Sequence, residues 1–223
     1  MNLTKQQVDD LINKGYALIP QLVFDITSLN EENLAKKTYN ENSKVSQQFL
    51  SSFNLNELKD QLAKLAKDKL NISADKNDIY SITRFLQSYD NLESYRGHFD
   101  SHIFTIVTPV KIPNTNSRES GQLIVFPKIR KNPTNEFINF YEKLKYKLLY
   151  GSKKGYQKLM EKNHFVEFDF KDKCSIIFLG RQCFHGNRSF AKAPDGERIT
   201  ILTHFFDPNK KGIGSLLRKI RNR

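Results

Sequence analysis

Apolar residues recur at helical spacing in the first third of the chain and at strand-like spacing after about residue 79. The segment TKQQVDDLINKG predicts an opening helix, because Thr4 can cap its first turn, Gln7 completes a capping box, and Gly15 suits its C-terminal end. YALIP then predicts a short strand. Helical spacing returns in SLNEENLAKK and, more strongly, from Val45 to Leu70.

The second part of the chain is rich in β-branched and aromatic residues arranged in short runs, which predict strands. The runs are IYSITRFLQ, HIFTIVTPV, QLIVF, VEFDF, CSIIFLG and RITILTHFF. Two helical segments, PTNEFINFYEKLKYKLLYG and YQKLMEK, interrupt them. This order predicts an α+β fold in which helices support a single β-sandwich or jelly roll.

The pattern predicts one domain, 1–208, followed by a separate basic tail, 209–223. No Pro/Gly/Ser-rich linker and no internal repeat divides the chain. Residues 1–78 are expected to form a mainly helical support. The core is expected over 79–207, with a helical insertion at 132–163.

Composition predicts a folded, cytoplasmic protein. Apolar residues make up 38% of the chain, with 17 Phe and 9 Tyr, which argues against disorder. No apolar run approaches the roughly 20 residues that span a bilayer, and the N-terminus lacks the apolar core of a signal peptide. The two cysteines, Cys174 and Cys183, are too few for a disulfide framework.

The net charge of +12 favours acidic partners such as phosphates, anionic lipids or nucleic acid. The tail contains six basic residues and no acidic residue, and its apolar residues follow the spacing of a short amphipathic helix. Such a tail either contacts an anionic membrane peripherally or packs on its own domain. No helix-turn-helix, zinc-finger or RNA-binding signature appears, so nucleic acid is not an expected partner.

Candidate metal chemistry lies in GHFDSHIF, residues 97–104. On a strand, His98 and Asp100 would leave the same face and reach one cation. This mixture of nitrogen and oxygen suits Fe(II) better than Ca²⁺ or Mg²⁺. His102 would share the face but lie roughly 13 Å from His98. We therefore interpret His102 as a pocket or sheet residue, and a third ligand must come from elsewhere.

Three histidines are candidates for that third ligand: His164, His185 and His204. His185 ends an apolar strand, and a polar loop and a strand beginning at Arg198 follow it. Two neutral histidines and one carboxylate bind Fe(II) on one face and leave positions for a keto acid and O₂. Arg198 can then pair with the far carboxylate of the keto acid, and Thr200, on the same strand face, can donate a hydroxyl hydrogen bond to it.

Together, GHFD, CFHGN and ERITILTHFF resemble the Fe(II)- and 2-oxoglutarate-dependent oxygenases, specifically their phytanoyl-CoA dioxygenase-like branch. The opening helix and strand and the run SGQLIVFP are similar to the same branch, so the resemblance covers roughly 4–20 and 79–207. It implies a double-stranded β-helix with Arg198 as the anchor of 2-oxoglutarate. The iron ligands that it implies are His98, Asp100 and His185. The implied activity uses O₂ to hydroxylate an unactivated C–H bond of a small metabolite. The basic charge of the chain and its tail favours a metabolite that is anionic or linked to a carrier or lipid.

Further residues near the motifs are candidate contacts. Arg84 contacts either 2-oxoglutarate or substrate, or else covers the barrel rim. The candidate substrate contacts are Tyr95, Arg96 and His102. The basic residues after VFP either steer an anionic substrate or form a solvated loop; they are Lys128, Arg130 and Lys131.

Two other function classes stay open. One is a metal-binding jelly-roll enzyme that uses no keto acid, and such a site would not need Arg198 as a buried cation. The other is a basic module that binds nucleic acid or membranes. Desaturation and ring formation also stay open as alternatives to hydroxylation. A location at the membrane periphery would follow from the basic tail.

Overall fold

The computed structural model describes residues 1–20, 22, 39–41, 44–53, 55–87, 94–112, 120–190 and 197–208. The helix expected in SLNEENLAKK and the basic tail 209–223 lie outside the described residues. Among the described helices, none is long and apolar enough to cross a membrane.

The first helix, α1 (Lys5–Lys14), confirms the predicted capping box. The Thr4 hydroxyl accepts a hydrogen bond from the Gln7 amide at 3.2 Å, and the Gln7 side chain accepts one from the Thr4 amide at 2.8 Å. Gly15 ends the helix with a φ of 89°, in the left-handed region that glycine tolerates. Strand β1 (Tyr16–Ile19) follows directly, as predicted.

The helical spacing predicted over 45–70 corresponds to two helices, α2 (Lys44–Ser52) and α3 (Asn56–Leu70). Leu58, Leu62 and Leu65 lie on the buried side of α3. These residues recur at the spacing of one helical face, so the apolar pattern identified the buried side.

Eight further strands form two antiparallel sheets. They are β2 (Tyr39–Glu41), β3 (Ile79–Gln87), β4 (Phe104–Lys111), β5 (Leu123–Phe126), β6 (Val166–Phe168), β7 (Ser175–Leu179), β8 (Phe184–Asn187) and β9 (Glu197–Phe205). The larger sheet has the order β1-β7-β4-β9-β3-β2, and the smaller sheet has the order β6-β5-β8. The α+β jelly roll predicted from the sequence is confirmed.

The insertion forms α4 (Glu136–Tyr150) and α5 (Lys153–Lys162), as its spacing predicts. The side chains of Asn135 and Ser152 cap the two helices by accepting from the amides of Ile138 and Gly155. Both helices lie between β5 and β6 in the chain, so the insertion is attached to the smaller sheet.

Two hydrophobic clusters flank the jelly roll. The first, here called the helix–sheet core, joins α1 and α3 to the larger sheet through residues such as Leu11, Leu62 and Ile177. The second, here called the aromatic cluster, joins the smaller sheet to the insertion. Its buried members are Tyr95, Phe99, Ile124, Phe126, Tyr156, Leu159 and Phe184.

Candidate metal centre

The segment 97–103 is not the strand that the sequence predicted. His98 makes an isolated bridge with His185, in which the two backbones exchange hydrogen bonds of 2.9 and 3.0 Å. The chain then bends, the amide of Asp100 donates to the carbonyl of Gly180 at 3.0 Å, and β4 begins only at Phe104. The prediction of a strand was therefore wrong, because only His98 pairs with a neighbouring strand.

The bridge brings three side chains together. One Asp100 oxygen lies 3.7 Å from Nε2 of His98, and the other lies 3.6 Å from Nε2 of His185. One potential ligand atom from each residue lies within 4.8 Å of the others. Among the described residues, these three form a group that could hold a metal ion. His164, the first alternative ligand, is exposed in the loop before β6.

Backbone carbonyls fix which ring nitrogen of each histidine is available. Nδ1 of His98 lies 3.1 Å from the carbonyl of Arg96, and Nδ1 of His185 lies 3.1 Å from the carbonyl of Cys183. A carbonyl only accepts hydrogen bonds, so Nδ1 carries the proton in both neutral rings. The lone pair then resides on Nε2, the atom that faces Asp100 in each case.

The electrostatic surroundings favour two neutral histidines and one ionised carboxylate. Burial lowers the pKa of His185. Desolvation of its imidazole by neighbouring groups, and then the charge interaction with His185, lower the pKa of His98 to about 4. The side chain of His98 is nevertheless 52% exposed. Burial raises the pKa of Asp100, but its charge interactions with the histidines and the hydrogen bond from Thr105 outweigh that effect and lower it overall. A cation is thus offered two nitrogen lone pairs and one negative charge.

A polar chain behind Asp100 fixes its carboxylate. The Thr105 hydroxyl donates to Oδ2 of Asp100 at 2.5 Å, and Nδ1 of His204 lies 3.1 Å from the same hydroxyl. Because the hydroxyl proton goes to the carboxylate, His204 must donate its Nδ1 proton to the hydroxyl oxygen. His204, the other alternative ligand, thus supports Asp100 through Thr105.

Gly180 accepts the hydrogen bond of the Asp100 amide and so holds the backbone of that residue in place. A Cβ at position 180 would lie 2.9 Å from Cβ of Asp100 and 2.8 Å from the carbonyl of His102. Sequence reasoning missed Gly180 and Thr105, because neither lies at a recognisable spacing from the metal motif. Both contacts arise from the bend after Asp100, which the predicted strand did not contain.

Arg198 lies inside the jelly roll with 2% of its surface exposed. Its Nε and Nη1 have no hydrogen-bond partner in the part of the chain that the structure describes. Burial and then the neighbouring charge of Arg84 lower its pKa to about 9. Glu197, the neighbour of Arg198 in the chain, pairs instead with Lys111 at 2.9 Å.

Arg84 extends the polar lining between Arg198 and the metal ligands. Its Nη1 donates to Oδ1 of Asn187, whose Nδ2 donates to the carbonyl of Gly121 at 2.9 Å. Thr200 is buried and pairs with Arg84 across the β3–β9 ladder. Asn187 follows His185 by two residues on β8, so it shares a strand face with a metal ligand. The sequence contained that signal, but β8 was not predicted to include it.

The three candidate substrate contacts occupy different surroundings. Tyr95 is buried with its ring 5.7 Å from that of Tyr156. Arg96 is exposed. His102 is buried, and its ring lies 4.8 Å from the ring of His204 and 4.9 Å from that of Tyr80. Their roles toward substrate stay predictions.

The structure places Arg130 neither in a solvated loop nor in an exposed position from which it could steer a substrate, the two roles predicted for the basic residues after VFP. It is buried, donates to the carbonyl of Arg181 at 2.6 Å and to Asn139 at 2.7 Å, and pairs with Glu142 at 3.0 Å. Its guanidinium lies 3.8 Å from the ring centre of Phe99. Arg130 therefore joins the insertion to the segment that carries His98 and Asp100, and does not belong to a solvated loop.

No protein-family model matches the sequence, and no curated protein is similar to it. Solved structures do resemble the fold. HygX from Streptomyces hygroscopicus, determined with iron bound, shares 13% identity with a TM-score of 0.55, over 92% of this chain and 87% of that one. The non-haem α-ketoglutarate-dependent carbocyclase SnoK from nogalamycin biosynthesis shares 14% identity with a TM-score of 0.51, over 92% of this chain and 85% of its own.

The epimerase SnoN, in complex with Fe³⁺, α-ketoglutarate and nogalamycin RO, shares 10% identity with a TM-score of 0.50, over 91% of this chain and 83% of its own. These likenesses show the fold alone: the chain has a jelly-roll fold similar to that of these three proteins. The phytanoyl-CoA dioxygenase-like branch is not confirmed by them.

Proposed function

We propose that the protein is a non-haem Fe(II)- and 2-oxoglutarate-dependent dioxygenase. One observation carries the proposal: three potential ligand atoms lie within 4.8 Å of one another in a jelly roll that also buries a guanidinium, that of Arg198, whose Nε and Nη1 have no hydrogen-bond partner among the described residues. Similar folds that hold iron, or Fe³⁺ with α-ketoglutarate, support it.

The donor set fits Fe(II). His98, Asp100 and His185 would hold the ion, as two neutral imidazoles and one carboxylate are a ligand set typical of non-haem iron oxygenases. The iron and 2-oxoglutarate supply the activation of O₂ that attack on an unactivated C–H bond requires. The chain fixes both imidazoles through the carbonyls of Arg96 and Cys183, and fixes the carboxylate through Thr105.

Arg198 fits the far carboxylate of 2-oxoglutarate. A buried guanidinium without an anionic partner is costly, and a bidentate carboxylate would offset that cost. Thr200, two residues along β9, is buried on the same strand face and can donate a further hydrogen bond. Arg84 lies close enough to Arg198 for their charges to interact and adds a second positive charge beside it.

The reaction that we propose is hydroxylation of a small metabolite. Asp100 would supply a carboxylate ligand, whereas halogenating members of the oxygenase family that the sequence resembles have a small residue at that position. Similar folds include a carbocyclase and an epimerase, so the fold alone does not decide the outcome. The basic composition favours a substrate that is anionic or linked to a carrier or lipid.

The test measures Fe(II) binding, 2-oxoglutarate binding and succinate release separately. The wild-type chain should bind Fe(II) without air, develop a visible charge-transfer absorption when 2-oxoglutarate is added, and release succinate under air. Asp100→Ala should lose all three. Arg198→Met should keep Fe(II) binding but weaken 2-oxoglutarate binding about 100-fold, because two charge-assisted hydrogen bonds are lost.

Arg188→Met is the matched control, since Arg188 pairs with Glu167 at 2.8 Å and is neither one of the three candidate ligands nor a proposed contact of 2-oxoglutarate. It should leave all three measurements unchanged. Fe(II) binding without 2-oxoglutarate binding would instead identify a jelly-roll enzyme that uses no keto acid. Absence of both would contradict the oxygenase proposal.

A further inference from the structure

Helix α4 turns its most apolar side away from the protein. Phe137, Tyr141, Leu144 and Leu148 follow the spacing i, i+4, i+7 and i+11, so they lie along one side of the helix. Their exposed fractions are 77, 60, 44 and 77%. We call these four residues the apolar stripe; the exposed residues that widen it are Ile138, Phe140 and Leu149. A contiguous exposed surface of this kind marks a binding site more often than chance exposure.

The opposite side of α4 already holds the helix in place. Asn139 is buried and accepts a hydrogen bond from Arg130, and Nζ of Lys143 donates to the Ser101 hydroxyl at 2.9 Å. The ring of Tyr146 packs edge-on against Phe99 at 4.9 Å. A helix that only supported its own fold would bury its most apolar side. The apolar stripe therefore needs a different explanation.

Basic residues border the stripe. Lys145 and Lys147 are exposed and lie on its two sides, at about 80° from its centre when successive residues advance by about 100°. The segment 136–162 carries seven lysines and three glutamates. In α5, Lys153, Lys154 and Lys158 are also exposed. The surroundings of the stripe thus favour an anionic partner.

We propose that the apolar stripe binds the surface of an anionic phospholipid membrane. Helix α4 lies in the plane of the interface, its Phe, Tyr and Leu side chains enter the boundary of the acyl chains, and its lysines stay at the level of the headgroups. This distribution of residues is typical of interfacial helices, and each lysine near an anionic surface adds attraction.

Charge argues against two other occupants. The apolar residues of the tail 209–223 follow helical spacing in the sequence, but docking of the tail on the stripe would bring its six basic residues close to the lysines of α4 and α5. A second copy of the chain would bring the same lysines against each other. An acidic protein satisfies the charge, but the stripe has the composition that interfacial helices show. A membrane is therefore the partner that we assign.

The apolar stripe lies on the helix that packs beside the candidate metal centre, but the membrane proposal does not require that centre to bind iron. The inner side of α4 contacts Phe99 and Ser101, which neighbour Asp100 in the chain. A helix is roughly 10 Å across with its side chains, so docking through the stripe would bring the ligand-bearing segment within about that distance of the headgroups. The proposed binding of the stripe to a membrane is therefore tested separately from iron binding.

The absence of Trp from the sequence permits a direct test. Phe137→Trp places a single Trp in the stripe, and Leu18→Trp places one at an apolar position on β1 that is 45% exposed. Both full-length chains are mixed with vesicles of phosphatidylcholine, with and without phosphatidylglycerol. The emission of Phe137→Trp should shift to the blue with anionic vesicles and much less with neutral ones, whereas Leu18→Trp should not shift.

Co-sedimentation with the same anionic vesicles gives the second measurement. Phe137→Ser combined with Leu148→Ser should weaken the partition of the chain about tenfold or more, since two large apolar side chains leave the interface. Leu18→Ser is the matched control and should leave the partition unchanged. Both variants keep the basic tail, so equal binding of the stripe variant and the wild type would overturn the proposal.

Three other outcomes would also overturn it. A blue shift of Phe137→Trp that depends on protein concentration in the absence of vesicles would assign the stripe to a second copy. A shift with a soluble acidic carrier protein but none with vesicles would assign it to a protein partner. No shift under any of these conditions would leave the stripe without a binding role. Fe(II) binding by each variant, measured separately, reports on the metal centre alone.

Discussion

The helix–sheet core and the aromatic cluster both bury apolar side chains, but they differ in composition and in what they contact. The first is dominated by aliphatic residues such as Leu11, Leu62 and Ile177. In the second, five of the seven buried members are aromatic. The first joins helices to the larger sheet. The second lies directly against the residues that flank the metal ligands.

The contact between the aromatic cluster and the ligand segment is very close. A Cβ at Gly97, the neighbour of His98, would lie 2.2 Å from the ring of Phe184 and 2.6 Å from that of Tyr156. Phe99, between the two ligands of that segment, packs against Tyr146 and Arg130. The helix–sheet core reaches the candidate ligand His185 through the ring of Phe178 at 4.7 Å, whereas the aromatic cluster packs on both neighbours of His98. The aromatic cluster is therefore placed to set the position of the segment that carries His98 and Asp100.

The largest effects on stability and Fe(II) affinity are expected from one substitution in the helix–sheet core and one at the glycine that packs against the aromatic cluster. Leu62→Ala should lower the free energy of unfolding by about 2–5 kcal/mol, because it leaves a cavity in a fully buried position. The folded protein should bind Fe(II) with unchanged affinity. Gly97→Ala should cost about 1–3 kcal/mol through overpacking and should also weaken Fe(II) binding about 10- to 100-fold.

Urea unfolding of the metal-free chain and Fe(II) titration below the unfolding transition measure the two quantities independently. Equal loss of Fe(II) affinity in both variants would contradict a distinct role of the aromatic cluster, since metal binding would then depend only on global stability. Gly155→Ala in α5 serves as a further glycine control, because it tests a backbone clash within the insertion that lies away from His98.

The sequence predicted the fold where local patterns decide it. The capping box of α1, the two helices of the insertion and seven of the strands follow from local patterns alone; β2 and β8 were not predicted. His98 and Asp100 were proposed as ligands from a two-residue spacing that assumed a strand. The structure groups both with His185 although that strand is absent, and their role as ligands stays a prediction. A single bridge between His98 and His185 and a bend supported by Gly180 replace it.

The supporting residues could not be predicted, because they depend on contacts between distant parts of the chain. Thr105 reaches Asp100 only after that bend, and Arg130 packs on Phe99 only because α4 lies where it does. The basic residue Arg130 was interpreted from composition as a surface residue. Its partners, Asn139 and Glu142, belong to a helix whose docking position no local pattern specifies.

A smaller effect is expected from two threonines of β4, of which only Thr105 contacts a candidate ligand. Thr105→Val removes the hydroxyl that donates to Asp100, so we expect Fe(II) affinity to fall about tenfold or more while the fold is retained. Thr108→Val is the matched control, because Thr108 is also buried on β4 but its hydroxyl accepts from Ser175 at 3.1 Å. Fe(II) titration of both variants is the measurement, and similar affinities would contradict a supporting role for Thr105.

The smallest expected effect concerns the hydroxyl of Tyr156 in the aromatic cluster. Tyr156 is fully buried, its hydroxyl has no hydrogen-bond partner among the described residues, and burial raises its pKa well above the usual value. A buried polar group without a partner costs free energy, so Tyr156→Phe should leave stability unchanged or raise it by up to about 1 kcal/mol. Thr108→Val, which removes a paired hydroxyl from the larger sheet, should instead cost about 1 kcal/mol. Because Phe keeps the ring that packs on Gly97, Fe(II) affinity should not change. A clear loss of Fe(II) affinity in Tyr156→Phe would show that the hydroxyl, and not ring packing, connects the insertion to the metal centre.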